Sequence, residues 1–167
     1  MIQLPTSLSY RLACWQIQRR PTPSYVPGRL LLCYPADQYT FPEDYRHRLQ
    51  QYFSEVIPLS CSTHASEKDI KTLPAPGWTG LVPRDALRVL QSIQPEVVIH
   101  LDTSFHLAAE HAIAMLPARL RVAFHHPMAE PFYDVLIATN TQDIKARARV
   151  LLQYLERIIG SNIVQRV

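Results

Sequence analysis

Five of the seven histidines, His100, His106, His111, His125 and His126, fall within one short stretch, interleaved with Asp102 and Glu110. Imidazole and carboxylate are the ligands that a zinc-like ion takes, and together they are also the pair that moves protons in acid–base catalysis. For a metal, the candidates are His106, Glu110, His125 and His126. His106 and Glu110 stand four apart on one helical face, but His111 points about 100° away from Glu110, and neither HExxH nor a comparable spacing occurs. The metal-free alternative has His100 hydrogen-bonded at a strand end and His125 and His126 in a solvated loop. For catalysis, the candidates are Asp37, His100, Asp102 and His106, with the Asp102 carboxylate orienting an imidazole beside it and stabilising its charged form. The competing reading is helix capping, since Asp102, Thr103 or Ser104 just before a helix is an ordinary N-cap, worth about 1 kcal/mol. Asp37 likewise suits a turn.

Other chemistries lack their equipment. No glycine-rich loop follows any apolar run, so the backbone nest that cradles dinucleotide or triphosphate groups is absent and no cofactor is expected. No nucleophile elbow accompanies a Ser/His/Asp order. Cys14, Cys33 and Cys61 are odd in number and contain no CxxC pair, which suits buried thiols in a reducing cytoplasm.

Those residues need elements to position them. The 167 residues, 47% of them hydrophobic, with a net charge of +3, are enough for one sizeable core. Residues 1–27 read as a helical arm and a proline-rich linker, in which Leu8, Leu12 and Trp15 recur on one face of a helix over Ser7–Gln18. That stripe packs on the domain or docks another subunit. Residues 28–160 read as an α/β domain and 161–167 as a tail. Leu30–Tyr34 is a continuous apolar run of the kind a strand buried on both faces requires. Strands are also expected at Val56–Cys61, which its proline demotes toward an edge, and at Val97–Leu101, Leu120–Phe124 and Tyr133–Ala138. Between them, helices start near Pro42 and Pro83 and cover Phe105–Leu116, and a long terminal helix runs from Asn140 or Thr141 to a stop at Gly160. Such alternation predicts a doubly wound, Rossmann-like domain, with a mostly parallel sheet of about five strands and helices on both faces. Ligands bind such sheets beyond the carboxyl ends of the strands, which selects the loops carrying Asp37, His100 to His106, His125 and His126, and Thr139 to Asp143.

No apolar run approaches the roughly 20 residues that cross a bilayer, and no export signal is read, so a membrane is not an expected partner. Arg119, Arg121, Lys145, Arg147, Arg149 and Arg157 cluster late in the chain. Together they could form a weak basic patch, but on the amphipathic terminal helix Lys145 and Arg149 read first as the solvated side, and the lack of interleaved aromatics argues against nucleic acid.

The stretch Pro95-Glu-Val-Val-Ile-His-Leu-Asp102, with Ala118-Arg-Leu-Arg-Val-Ala-Phe124, Phe132-Tyr-Asp-Val-Leu-Ile137 and the final helix, resembles a bacterial, largely Bacteroidota, domain family of unknown function. The resemblance spans about residues 29–159, is strongest over 95–159, and implies no activity. The same stretch is similar, more distantly, to the N-terminal half of heptosyltransferase-like glycosyltransferases, which implies an acceptor-binding role. Those enzymes place Gly-Asp after the first strand, whereas here Cys33-Tyr-Pro-Ala-Asp-Gln-Tyr39 keeps only Asp37. Their sugar-nucleotide half would need roughly 150 further residues. The expectation is a non-enzymatic ligand-binding or protein-interaction module that assembles with itself or a partner through its N-terminal arm. The alternative is a small enzyme, or an acceptor-binding remnant, using a crevice bounded by Asp37, His100, Asp102, His106 and His125.

Overall fold

A computed structural model describes residues 4–20, 22–36, 40–62, 70–141 and 143–163, with the backbone alone for 144 and 158–163. Six strands form one sheet in the order β3-β2-β1-β4-β5-β6, parallel throughout. They are β1 (Val26–Tyr34), β2 (Glu55–Ser60), β3 (Lys71–Thr72), β4 (Pro95–His100), β5 (Leu120–Phe124) and β6 (Val135–Ile137). The helices are α1 (Thr6–Ile17), α2 (Glu43–Gln50), α3 (Arg84–Gln91), α4 (Leu107–Ala114) and α5 (Ile144–Ile163). This is a doubly wound, Rossmann-like α/β domain. The sixth strand, β3, lies within the stretch that sequence reads as a connection. It pairs only with Leu59 and Ser60, so Pro58 of β2 precedes that pairing and its missing N–H breaks no bond in the β2–β3 ladder.

The continuous apolar runs are explained by coverage of both faces. Leu30 and Leu32 pack with the α2 and α5 side chains Leu49, Leu151 and Leu155. Leu31 and Cys33 pack on the other face with α1, α3 and α4. Right-handed crossovers dictate this division: β1 to β2 steps one way across the sheet with α2, whereas β3 to β4 and β4 to β5 step the other way with α3 and α4 on the opposite side.

Two expectations are corrected. In α1, Leu8 and Trp15 are about half exposed, at 47% and 50%, while Ser9, Ala13 and Ile17, spaced by four, are buried. Small side chains let the α1 backbone approach the domain closely, and Tyr10 beside them packs against Phe105 and Phe132. Trp15 is instead covered by the Arg19 guanidinium, 4.1 Å from its ring centroid. The cap of α5 is Asp143, whose carboxylate accepts the N–H groups of Lys145 and Ala146 at 3.3 and 3.1 Å, and the helix continues through Gly160 to Ile163. Among the late basic residues, the solvated side read for Lys145 and Arg149 holds, and the set as a whole does not join it in one patch. Arg121 and Arg147 are buried, Arg121 against Asp134 at 3.1 Å, while Lys145 and Arg149 are exposed.

Candidate functional site

The sheet order reverses between β1 and β4, so the loops leaving these two strands diverge to opposite sides and leave a rim where ligands bind in this class of fold. His100, the last residue of β4, sits opposite Cys33 of β1. Strand alternation points it to the α4 side, where it is 1% exposed. Its Nδ1 lies 2.6 Å from the Tyr133 hydroxyl and 3.6 Å from Glu110 Oε2. The Tyr133 hydroxyl donates to Glu110 in a short hydrogen bond. Because the phenol has one proton and gives it to the carboxylate, His100 Nδ1–H is the donor to the phenolic oxygen. A three-membered chain, His100 to Tyr133 to Glu110, therefore fixes the ring and leaves Nε2 buried without a hydrogen-bond partner.

Electrostatics reinforce the chain. Burial opposes the imidazolium, but Cys61 and the Glu110 carboxylate outweigh it and hold His100 well above its ordinary range. Burial likewise opposes ionisation of Glu110, and His100 more than compensates, holding that carboxyl below its usual value. The Cys61 thiol is pushed well up, first by the Cys33 thiol and then by burial. Burial followed by the Glu110 charge raises Tyr133. Next to Glu110, His111 has both ring nitrogens buried and unpartnered, and desolvation lowers it to about 4. The arrangement can store and relay a proton between imidazole, phenol and carboxylate, shielded from water.

The other singled-out residues lie above this chain or apart from it. Asp102 accepts the Ser104 N–H at 2.8 Å, closing an Asx turn, and its second oxygen stands 3.7 Å from Nε2 of the exposed His106. Its capping role is thus confined to the turn: α4 begins after His106, and no side chain caps it. His125 is exposed, and its N–H extends the β5–β6 ladder to the Ile137 carbonyl. The His126 ring stacks on Phe105 at 5.2 Å, while its Nδ1 accepts the Met128 N–H. Glu110 turns inward to Tyr133, away from the ligand set imagined with His125 and His126. Among the described residues, no group of three or more His, Cys, Asp or Glu is arranged to hold a metal ion. Asp37 lies outside the described residues. Sequence reasoning missed Tyr133 and the dithiol neighbourhood of Cys33 and Cys61. It had one usable signal: Glu110 stands beside His111 in the otherwise apolar run Leu107–Ala114, where a buried carboxylate requires a partner.

The fold and this rim define a doubly wound α/β domain with a buried proton chain at its switch point. No protein-family model matches the chain, and no curated protein matches it in sequence. Among solved structures it is similar to an epimerase from the thermophilic, pseudomurein-containing methanogen Methanothermobacter thermautotrophicus, with a TM-score of 0.34 and 12% identity. The match covers 90% of this chain and 52% of that one, so the chain spans about half the epimerase's length. Among the described residues, no helix is long and apolar enough to cross a membrane.

Proposed function

We propose that the protein is a non-enzymatic ligand-binding module of a reducing, cytoplasmic compartment, whose ligand sits on the β1–β4 rim against Asp102 and His106. The observation that supports this reading is the reversal of strand order directly beside His100 and Asp102. The three unpaired cysteines suit a reducing compartment. The resemblances to the Bacteroidota-type family and to the acceptor-binding half of heptosyltransferase-like enzymes direct the test panel toward sugar nucleotides, phosphosugars and divalent metals. A ligand present at 100 times its Kd adds about 2.7 kcal/mol to native stability, a clear rise in Tm. His106→Ala, at an exposed position, should abolish that rise and leave the unliganded Tm in place. Silence across the panel overturns the ligand reading.

A second reading, a small enzyme, is favoured by the His100–Tyr133–Glu110 chain, since proton storage of this kind serves acid–base catalysis. It requires turnover that disappears in His100→Ala with the fold intact. Protein interaction through α1 is supported by exposed Leu8 and Trp15, and by exposed Trp78, whose loop is tied to the start of α1 through the Leu4 N–H to Trp78 carbonyl bond.

A further inference from the structure

The chain's two tryptophans are both on its surface. Trp15 in α1 is 50% exposed and Trp78 60%, and Leu8, two helical turns before Trp15 on the same face, is 47% exposed. Trp78 belongs to a loop laid against the start of α1: its carbonyl accepts the Leu4 N–H at 3.0 Å, and Gly80 approaches so closely that a Cβ there would meet Ser9 Oγ at 3.1 Å. Charge distinguishes this face from an ordinary exposed apolar one. Between residues 4 and 36 the chain carries Arg11, Arg19, Arg20 and Arg29, and no Asp or Glu. Arg29 is taken by Glu55 beside the sheet, which leaves three cations with α1. Arg11 is exposed between Leu8 and Trp15, Arg19 lays its guanidinium over the Trp15 ring, and Arg20 reaches Asp134 at 3.4 Å.

We propose that the outer face of α1 docks on an anionic bilayer surface, with Leu8 and Trp15 entering the headgroup region and Arg11, Arg19 and Arg20 facing lipid phosphates. Each part fits that partner. Indole is apolar over its rings and polar at one N–H, so it settles where hydrocarbon meets headgroups. Clustered cations are drawn to a negative leaflet, and an arginine stacked on a tryptophan holds its charge at the depth of the ring. An acidic protein would instead take apolar anchors gathered in one desolvated centre, whereas here they stand singly on a convex helix with a cation between them. Two apolar side chains and three cations make a weak, reversible contact. A surface contact of this kind requires no spanning segment, so it is compatible with the lack, among the described residues, of a helix able to cross a membrane. It goes beyond the rim ligand, which is assigned to other residues, Asp102 and His106.

The test mixes the full chain at low salt with vesicles of phosphatidylcholine alone, or of phosphatidylcholine and phosphatidylserine in a three-to-one mix. The expected result is co-sedimentation with the anionic vesicles only, a blue shift of tryptophan emission on binding, and release as salt rises. Arg11→Glu should weaken binding by about tenfold or more, and Trp15→Ser should lower the bound fraction. Lys145→Glu, the same charge reversal at an exposed position on α5 across the sheet, should bind like the wild type. Urea unfolding of each variant separates a lost contact from a lost fold, and Arg19→Glu, beyond the end of α1, gives a second reading of the charge. Binding to neither vesicle, equal binding to both, or equal weakening by Lys145→Glu would each overturn the proposal. Binding to polyglutamate without binding to anionic vesicles would overturn it too, in favour of an acidic protein. The ligand-dependent rise in Tm expected of the rim should survive Arg11→Glu, so the two proposals fail separately.

Discussion

On the α2 and α5 face of the sheet, Leu32, Ile99, Val122 and Phe124 meet Leu151, Leu152 and Leu155, an apolar interface whose stability is the ordinary sum of transfer and packing. On the α1, α3 and α4 face, the same strands present Cys33, His100, Arg121 and Ala123, and the helix above supplies Glu110 and His111. One sheet therefore carries two kinds of core. Burying charge gains little net stability over an apolar filling and makes each partner dependent on the other. The polar side is the one that reaches the rim, so it is where the molecule accepts that dependence.

Breaking the polar chain is the sharpest way to test the difference. Glu110→Ala removes the carboxylate that receives the Tyr133 proton and balances His100 in the core, and should cost about 3–5 kcal/mol in urea unfolding at neutral pH. The double variant His100→Leu with Glu110→Leu should recover most of that loss, since no uncompensated charge remains. Across the sheet, Leu151→Ala should cost about 2–5 kcal/mol through its cavity, and no second substitution nearby should rescue it except one that refills the volume. Were Glu110→Ala to cost no more than an exposed substitution, the two faces would be energetically alike and the ion-pair description would fall.

The unequal legibility of the two faces follows from how they are built. Leu30–Tyr34 and Val97–Leu101 announce buried parallel strands because apolar runs and helix-start signals are local features. Two-residue β3 has no such pattern, and only its neighbour Leu59–Ser60 selects it. On α1 the largest side chains, Leu8 and Trp15, set the apparent stripe, but the face that packs on the domain is the one where close approach favours Ser9 and Ala13. At the site, His100 and Asp102 were found by the rule that loops at carboxyl strand ends bind ligands. Tyr133 was not found, because it meets Glu110 across 23 positions and His100 across 33 through crossovers that no spacing in the sequence encodes.

Acid should unmask the same face. His111 is lowered to about 4 by desolvation, from an ordinary 6.5. Its contribution is therefore complete above about pH 6.5 and is lost as pH falls toward 4, amounting to about 3 kcal/mol by linkage. Glu110, also lowered, loses its contribution in the same direction, below the ordinary carboxyl range. His100, which is raised, acts oppositely: its contribution is present below 6.5 and is lost as pH rises through its folded value. His111→Leu should flatten the stability profile between about pH 6.5 and 4 without lowering stability at neutral pH, since it removes two unsatisfied nitrogens. An unchanged acid limb in urea unfolding would show that His111 does not drive it.

The smallest expected effect lies on the outer side of the polar face. Trp15 is half exposed and touches Arg19, so Trp15→Ser should change unfolding free energy by no more than about 0.5 kcal/mol. The inward counterpart, Ala13→Leu, overpacks a fully buried position and should cost about 1–3 kcal/mol. The contrast separates what α1 does for its own fold from what it offers a partner. If α1 also joins two copies of the chain, Trp15→Ser will lower the mass seen by light scattering while stability holds, because exposed apolar groups contribute chiefly to association. If mass is the same for both proteins across concentration, α1 is a structural cover for His111 and Glu110, and the oligomerising role assigned to it is withdrawn.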